Sequence, residues 1–212
     1  MSTSKRLLTK NLMQKENALR MEGDPCSGGK RSKERIMVAS NMSGTEKLPL
    51  LVIGKAKKPR CFNSVKSLPV DYTSNSKAWM SSEVFNSWLK KIDNKFISAG
   101  RKIVMFIDNC PAHPKAAANN LTAIKLEFLP PNTTSIMQPM DQGIIKNLKV
   151  HYRKRVVLKI LQCLEENSVP CITLLDSLRE LRKAWSDVTQ QTIVNCFKKA
   201  GFKDNLSIPK DT

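Results

Sequence analysis

Two aspartates carry the strongest chemical signal in this chain. Asp108 closes Ile103-Val104-Met105-Phe106-Ile107, five apolar residues without a break. So short an unbroken run reads as a strand buried on both faces. Asp141 stands 33 positions later, at the head of a helical pattern and after one further strand. Sites in open α/β sheets form beyond the carboxyl ends of strands, and the intervening strand returns the chain to that edge. Two carboxylates held close repel each other unless a cation lies between them. Mg²⁺ takes oxygen ligands and keeps waters for substrate. Two such ions, about 4 Å apart, activate the attacking oxygen and stabilise the leaving one in phosphodiester chemistry. A plainer reading stays open at this point. An Asp at a strand end is often a turn residue, Asp141 can simply cap its helix, and spacing by itself favours that account.

The elements that must position these residues follow from periodicity. Residues 1 to about 33 are polar, lysine-rich and weakly periodic, fitting a short helix or disorder. Arg35 to Ser40 and Leu48 to Ile53 flank a turn signal at Asn41-Met42-Ser43-Gly44, which predicts an antiparallel hairpin. An irregular stretch rich in Lys, Pro and Ser comes next. Ser81 then caps a helix to about Phe96, with Val84, Phe85, Trp88, Leu89, Ile92 and Phe96 on its apolar stripe. After the strand ending at Asp108, alternation of Ile124, Leu126 and Phe128 with Lys125 and Glu127 predicts a more exposed strand, which Pro130-Pro131 stops. A helical pattern runs from Asp141 to about Glu166, with Ile145, Leu148 and Tyr152 on one stripe with Asp141. Thr173 with Asp176 resembles a capping box for a helix bearing Leu174, Leu178, Leu181, Trp185 and Val188. A last helix carries Ile193 and Phe197 and stops at Gly201. The fold class is α/β: a mixed sheet with helices on its faces.

Charge narrows the function. The 212 residues hold 36 Lys plus Arg against 18 Asp plus Glu, a formal charge of +18. Such a field concentrates polyanions, of which nucleic acid is the commonest in a cell; a generically basic protein fits the same number. Lys146, Lys149 and Arg153 share a helical face near the direction of Asp141, where a DNA phosphate would lie, or where water would. Lys55, Lys57, Lys58 and Arg60 form a second cluster in a loop, a candidate DNA-backbone contact or plain surface. Six cysteines without a C-x-x-C pair fit reduced thiols of a cytosolic or nuclear protein. The apolar runs are too short to span a membrane, and the N-terminus lacks the apolar stretch of a signal peptide. These features predict a soluble intracellular protein with no membrane or small-molecule partner. His113 and His151 lack companions at metal-ligand spacing, so His113 reads as a loop residue within reach of DNA. Gln138 and Gln142 flank Asp141 and are candidates to orient it. Trp88 and Trp185 lie on apolar stripes and read as core. Trp79 precedes the helix cap, where it would stack on a base or pack locally.

Longer motifs add to this. Asp108-Asn109-Cys110-Pro111-Ala112-His113-Pro114 follows the buried strand, and Leu129-Pro130-Pro131-Asn132-Thr133-Thr134-Ser135-Ile136-Met137-Gln138-Pro139-Met140-Asp141-Gln142-Gly143 leads into the helix. With Cys26-Ser27-Gly28-Gly29-Lys30-Arg31-Ser32-Lys33-Glu34-Arg35 upstream, they closely resemble the DDE superfamily endonuclease domain of pogo/Tigger transposases. The domesticated relatives of that family include the Jerky proteins and centromere protein B. The resemblance runs to Ala200-Gly201-Phe202, about four fifths of the chain. It implies an RNase H-like fold, Mg²⁺-dependent DNA cleavage and strand transfer, a nuclear location, and Asp108 and Asp141 as the second and third metal-binding acids.

The chain departs from that pattern at its start. The family's first catalytic Asp lies on its first strand, in a D-E-T-G-like motif upstream of the C-S-G-G segment, and nothing here matches it. Asp24 aligns with the linker after that motif; Glu22 is the other nearby acid. The strand near residues 36 to 41 is about two residues short, and no helix-turn-helix module fits in residues 1 to 33. Three units are therefore expected: 1–25, an ill-defined segment; 26–202, a partial RNase H-like domain lacking its first strand, with the buried strand's edge poorly covered; and 203–212, a tail. The expected function is a nucleic-acid-binding, transposase-derived domain that has lost catalysis with its first Asp. The alternatives are a non-enzymatic DNA- or chromatin-binding protein, or a degenerate product without selected function.

Overall fold

A computed structural model describes residues 10–19, 34–130 and 133–202. The sheet has six strands, β1 (Lys10–Leu19), β2 (Glu34–Asn41), β3 (Leu51–Gly54), β4 (Asp71–Ser74), β5 (Ile103–Ile107) and β6 (Ile124–Phe128), in the order β4-β3-β2-β1-β5-β6. β2 runs antiparallel to both β1 and β3, while β3 with β4, β1 with β5, and β5 with β6 are parallel. All strands but β2 therefore end at the same edge, and β2 begins there.

The expectation that the first strand is missing is corrected. Lys10–Leu19 lies between β2 and β5, with Leu12 opposite Asn41 on one side and Met13 opposite Phe106 on the other. The slot between two apolar strands exposes a row of backbone donors and acceptors on each side, and any extended segment satisfies them. The expected bare edge of β5 is thus paired. This segment, KNLMQKENAL, contains Glu16 and no Asp.

The two faces separate by strict alternation along β2. Ile36 and Val38 pack with Leu50, Val52 and the C-terminal helices, while Met37 and Ala39 pack with Leu51, Ile53 and the helix before β5. This is the period-two geometry of a strand covered on both sides. Helix α1 (Ser82–Ser98) covers one face, its Ser81 hydroxyl accepting from the Val84 N–H at 3.3 Å. The one-turn α2 (Thr134–Met137) precedes α3 (Ile145–Glu165), α4 (Leu174–Asp187) and α5 (Gln190–Lys199), which cover the other face. The capping box of α4 forms as expected, Thr173 and Asp176 bonding reciprocally. Burial alone would raise the Asp176 carboxyl, but hydrogen bonds from Lys159 and Thr173 outweigh it and hold the group below the ordinary carboxylate value. β5 is buried at Ile103, Met105 and Ile107 but only half-buried at Val104 and Phe106. The face expected to be closed is partly open there, where Phe106 meets the Phe202 ring at 5.3 Å.

Two tethers seen only in three dimensions fix the layers. The Lys47 ammonium donates to the carbonyls of Trp185, Ser186 and Val188 at 2.7, 3.0 and 2.9 Å, closing the C-terminal end of α4. The Trp185 indole N–H donates back to the Leu48 carbonyl at 3.0 Å. On the opposite face Asp93 of α1, 3% exposed, accepts from the N–H groups of Thr122, Ala123 and Ile124 and so holds the entry to β6.

Candidate functional site

Asp108 lies one residue past the end of β5, at the edge where the parallel strands terminate. The His113 imidazole reaches back to it. Its Nδ1 is 3.3 Å from the Asp108 main-chain carbonyl and 2.7 Å from Oδ1. The second approach falls short of hydrogen-bond alignment, so the ring nitrogen and Oδ1 meet in close polar contact. His113 is 4% exposed and its ring centroid stands 4.3 Å from that of Phe85. It is thus a loop residue, as expected, but its side chain is buried against α1 and Asp108 rather than within reach of DNA. The alternating core positions gave no hint of this, because the ring enters the core from an irregular turn.

Asp141 comes after β6, on the segment that leads into α3. Leu129 pairs with the Ile107 carbonyl at 2.9 Å, extending the β5–β6 ladder to the level of Asp108. The chain then passes α2 into a π-helical turn, Met140–Ile144, that packs on β1 and α5. Met140 and Ile144 are fully buried anchors, and Asp141 between them is exposed. Gln142 Nε2 donates to the Ile136 carbonyl at 3.0 Å and so closes this turn, while Gln138 is fully buried beneath it. The helical pattern expected from Asp141 onward is present, as this turn and then α3, with a kink between them.

The kink belongs to Gly143. Its φ of 155° is a conformation L side chains rarely adopt, and an added Cβ would stand 3.0 Å from Cys196 Sγ. Replacing Gly143 with alanine is expected to cost about 1–3 kcal/mol, lowering the melting temperature by roughly 3–8 °C. Thermal unfolding followed by circular dichroism checks this, and an unchanged transition would show that the turn relaxes without strain.

The cations sort into two groups. On α3, Arg155 bonds Asp187 with its Nε at 2.8 Å and its Nη2 at 2.7 Å, and Lys159 meets Asp176 at 2.8 Å, so both are committed to α4. Lys146 and Arg153 are exposed and have no ionic partner among the described residues; Lys149 is half-buried. Lys55, Lys57, Lys58 and Arg60 follow β3, also exposed and without ionic partners among the described residues. Their loop is tied down by Tyr72, whose hydroxyl donates to the Ala56 carbonyl at 2.7 Å and whose ring meets Phe62 edge-on at 4.9 Å. Burial, then the nearby Glu34 and Cys61, pushes the Tyr72 phenol up to about 12, so it remains a donor at neutral pH. Gly54 leaves room for it: a Cβ there would lie 2.1 Å from that hydroxyl. Because β3 and β5 end at one edge, this basic loop and Asp108 share it. A cleft of about 400 Å³ between Pro49, Leu68, Pro69 and Trp185 lies at the opposite edge, away from both aspartates.

Asp108 supplies carboxylate oxygen, the ligand type that a hard cation takes. A two-ion centre needs more. Among the described residues no group of three or more His, Cys, Asp or Glu converges to hold a metal ion. The described side chains therefore do not fit a pair of Mg²⁺ ions.

A six-stranded RNase H-like sheet with this edge defines a class. Residues 32–197 match the family described as DDE superfamily endonuclease, and the chain belongs to that family. It is 44% identical over 189 residues to the Tigger transposable element-derived protein 4 of Mus musculus, covering 88% of this chain and 36% of that protein. It is 31% identical to the major centromere autoantigen B of Cricetulus griseus, covering 87% of this chain and 30% of that protein. The chain thus spans about a third of the length of these relatives. The crystal structure of the Mos1 strand transfer complex shares the fold with a TM-score of 0.50 at 12% identity, over 92% of this chain and 53% of that one. Among the described residues no helix is long and apolar enough to cross a membrane.

Proposed function

We propose that this chain is a DNA-binding, transposase-derived domain whose ancestral Mg²⁺-dependent endonuclease and strand-transfer chemistry has lapsed. One observation carries the reading. The edge that bears Asp108 also bears Lys57, Lys58 and Arg60, and Lys146 and Arg153 follow Asp141, all exposed and without ionic partners among the described residues, where no group of three acids gathers to hold a metal ion. Phosphate binding needs only the cations, whereas the two-ion reaction needs the full set of carboxylates. Asp108 and Asp141 are on this account inherited ligands, with His113 holding the first in place. A nuclear location follows for a chain whose relatives are named for a transposable element and for the centromere.

Nicking of supercoiled plasmid by the purified protein with Mg²⁺ or Mn²⁺, beside an Asp108→Ala/Asp141→Ala variant, tests the lapse. Equal background from both proteins is expected. Cleavage by the parent alone would show that another acid completes the centre and would overturn the lapse. Salt-sensitive retention of the plasmid by both proteins is expected in either case.

A further inference from the structure

Trp79 is 56% exposed, whereas Trp88 and Trp185 are each 5% exposed. An indole left in water forfeits a large apolar burial, so its exposure calls for a reason. The backbone holding it is not slack. The Asn75 side chain donates to the Trp79 carbonyl at 2.6 Å and accepts from the Trp79 N–H at 3.0 Å. Ala78 N–H donates to the Asn75 carbonyl at 3.0 Å. The neighbours on both sides, Ala78 and Met80, are 1% and 6% exposed, so the turn is anchored in the core while the indole between them stands out. The Arg35 guanidinium lies 3.8 Å from the centroid of the Trp79 ring, which backs and orients it.

Topology sets where this ring stands. Trp79 follows β4 and Arg35 opens β2, so both lie at the edge that carries Asp108 and the loop of Lys57, Lys58 and Arg60. Arg35 is opposite Ala18 and Phe106 is opposite Met13. Arg35 thus sits two strands from β5 and three residues beyond the level of Asp108, about 10 Å across and about 10 Å along.

We propose that Trp79, backed by Arg35, is a stacking platform for an unpaired nucleobase of bound DNA. This rests on the DNA-binding reading above and adds to it a preference for strand ends or opened bases over intact duplex. An aromatic face accepts any base, because every base has a π-face, while neighbouring cations track the backbone.

The test uses the full chain with a short labelled duplex, either blunt or carrying a single-stranded overhang. Trp79 is the exposed indole among the three, so base stacking reads out as quenching of long-wavelength tryptophan emission. The overhang duplex is expected to quench that emission and the blunt one to leave it. Trp79→Ala should weaken overhang binding by about tenfold, leave blunt-duplex binding unchanged, and be largely rescued by Trp79→Phe. If the parent holds both duplexes in a salt-sensitive way but shows no quenching, and Trp79→Ala binds the overhang equally well, the platform is refuted while the DNA-binding reading stands. Equal quenching by the blunt duplex would refute the preference for unpaired bases. If the parent retains neither duplex at low salt, the DNA-binding reading falls and the platform with it.

Discussion

Replacing Asp93 with alanine is expected to remove about 3 kcal/mol or more of folding stability, the largest effect of any single substitution considered. The carboxylate is 3% exposed and accepts from three successive backbone N–H groups, at 3.1, 2.8 and 2.9 Å. A hydrogen bond to a charged group contributes roughly 1.5–3 kcal/mol, and a buried donor left without a partner costs a similar amount. The three are not additive, which keeps the total near the figure for the loss of one or two. The damage should spread to β6, an edge strand whose ladder is with β5 alone and whose entry this tether fixes. Asp93→Asn can keep its oxygen on the N–H groups of Ala123 and Ile124 and turn a donor toward that of Thr122, so about half the loss is expected. Urea unfolding checks both variants, with the midpoint falling and the slope unchanged. A shift under about 1 kcal/mol for the alanine variant would mean that water replaces the carboxylate at little cost.

Neutralising Lys57, Lys58, Arg60, Lys146 and Arg153 together is expected to weaken DNA binding by about a thousandfold at physiological salt, and to lower the slope of log affinity against log salt by about 4. These side chains are exposed and without ionic partners among the described residues, so they are available to phosphates. Arg155 and Lys159 supply the control. They carry the same charge on the same helix but are bonded to Asp187 and Asp176. Neutralising these two should reduce stability and leave the salt slope nearly as it was. Fluorescence anisotropy across a salt series reads both sets. An unchanged slope in the five-residue variant would place the DNA-binding surface elsewhere on the molecule.

What the sequence alone determined here rests on local, periodic physics. The apolar stripe Phe85, Leu89, Ile92 and Phe96 specified α1 because burial every 3.6 residues needs no partner to be recognised. The Ser81 cap and the Thr173–Asp176 box were legible because both bonds close within one helical turn. The hairpin of β2 and β3 and the strands β5 and β6 were legible from runs and turn residues, and the long motifs around Asp108 and Asp141 carried the family.

Tertiary structure decided everything that depends on a partner distant in the chain. β1 is too polar to announce itself and exists because β2 and β5 leave backbone groups to pair. β4 is four residues long and half-buried, so it had no pattern beyond its ladder to β3. An acid on the inner side of α1 was the one available hint of Asp93's role, but its three donors lie 29 to 31 positions away. The cations of α3 looked alike until the acids of α4 claimed Arg155 and Lys159 and left Lys146 and Arg153 to solvent. The meeting of Asp108, the basic loop and Trp79 at one sheet edge follows from strand directions alone. Strand direction is a property of pairing, which no single segment encodes.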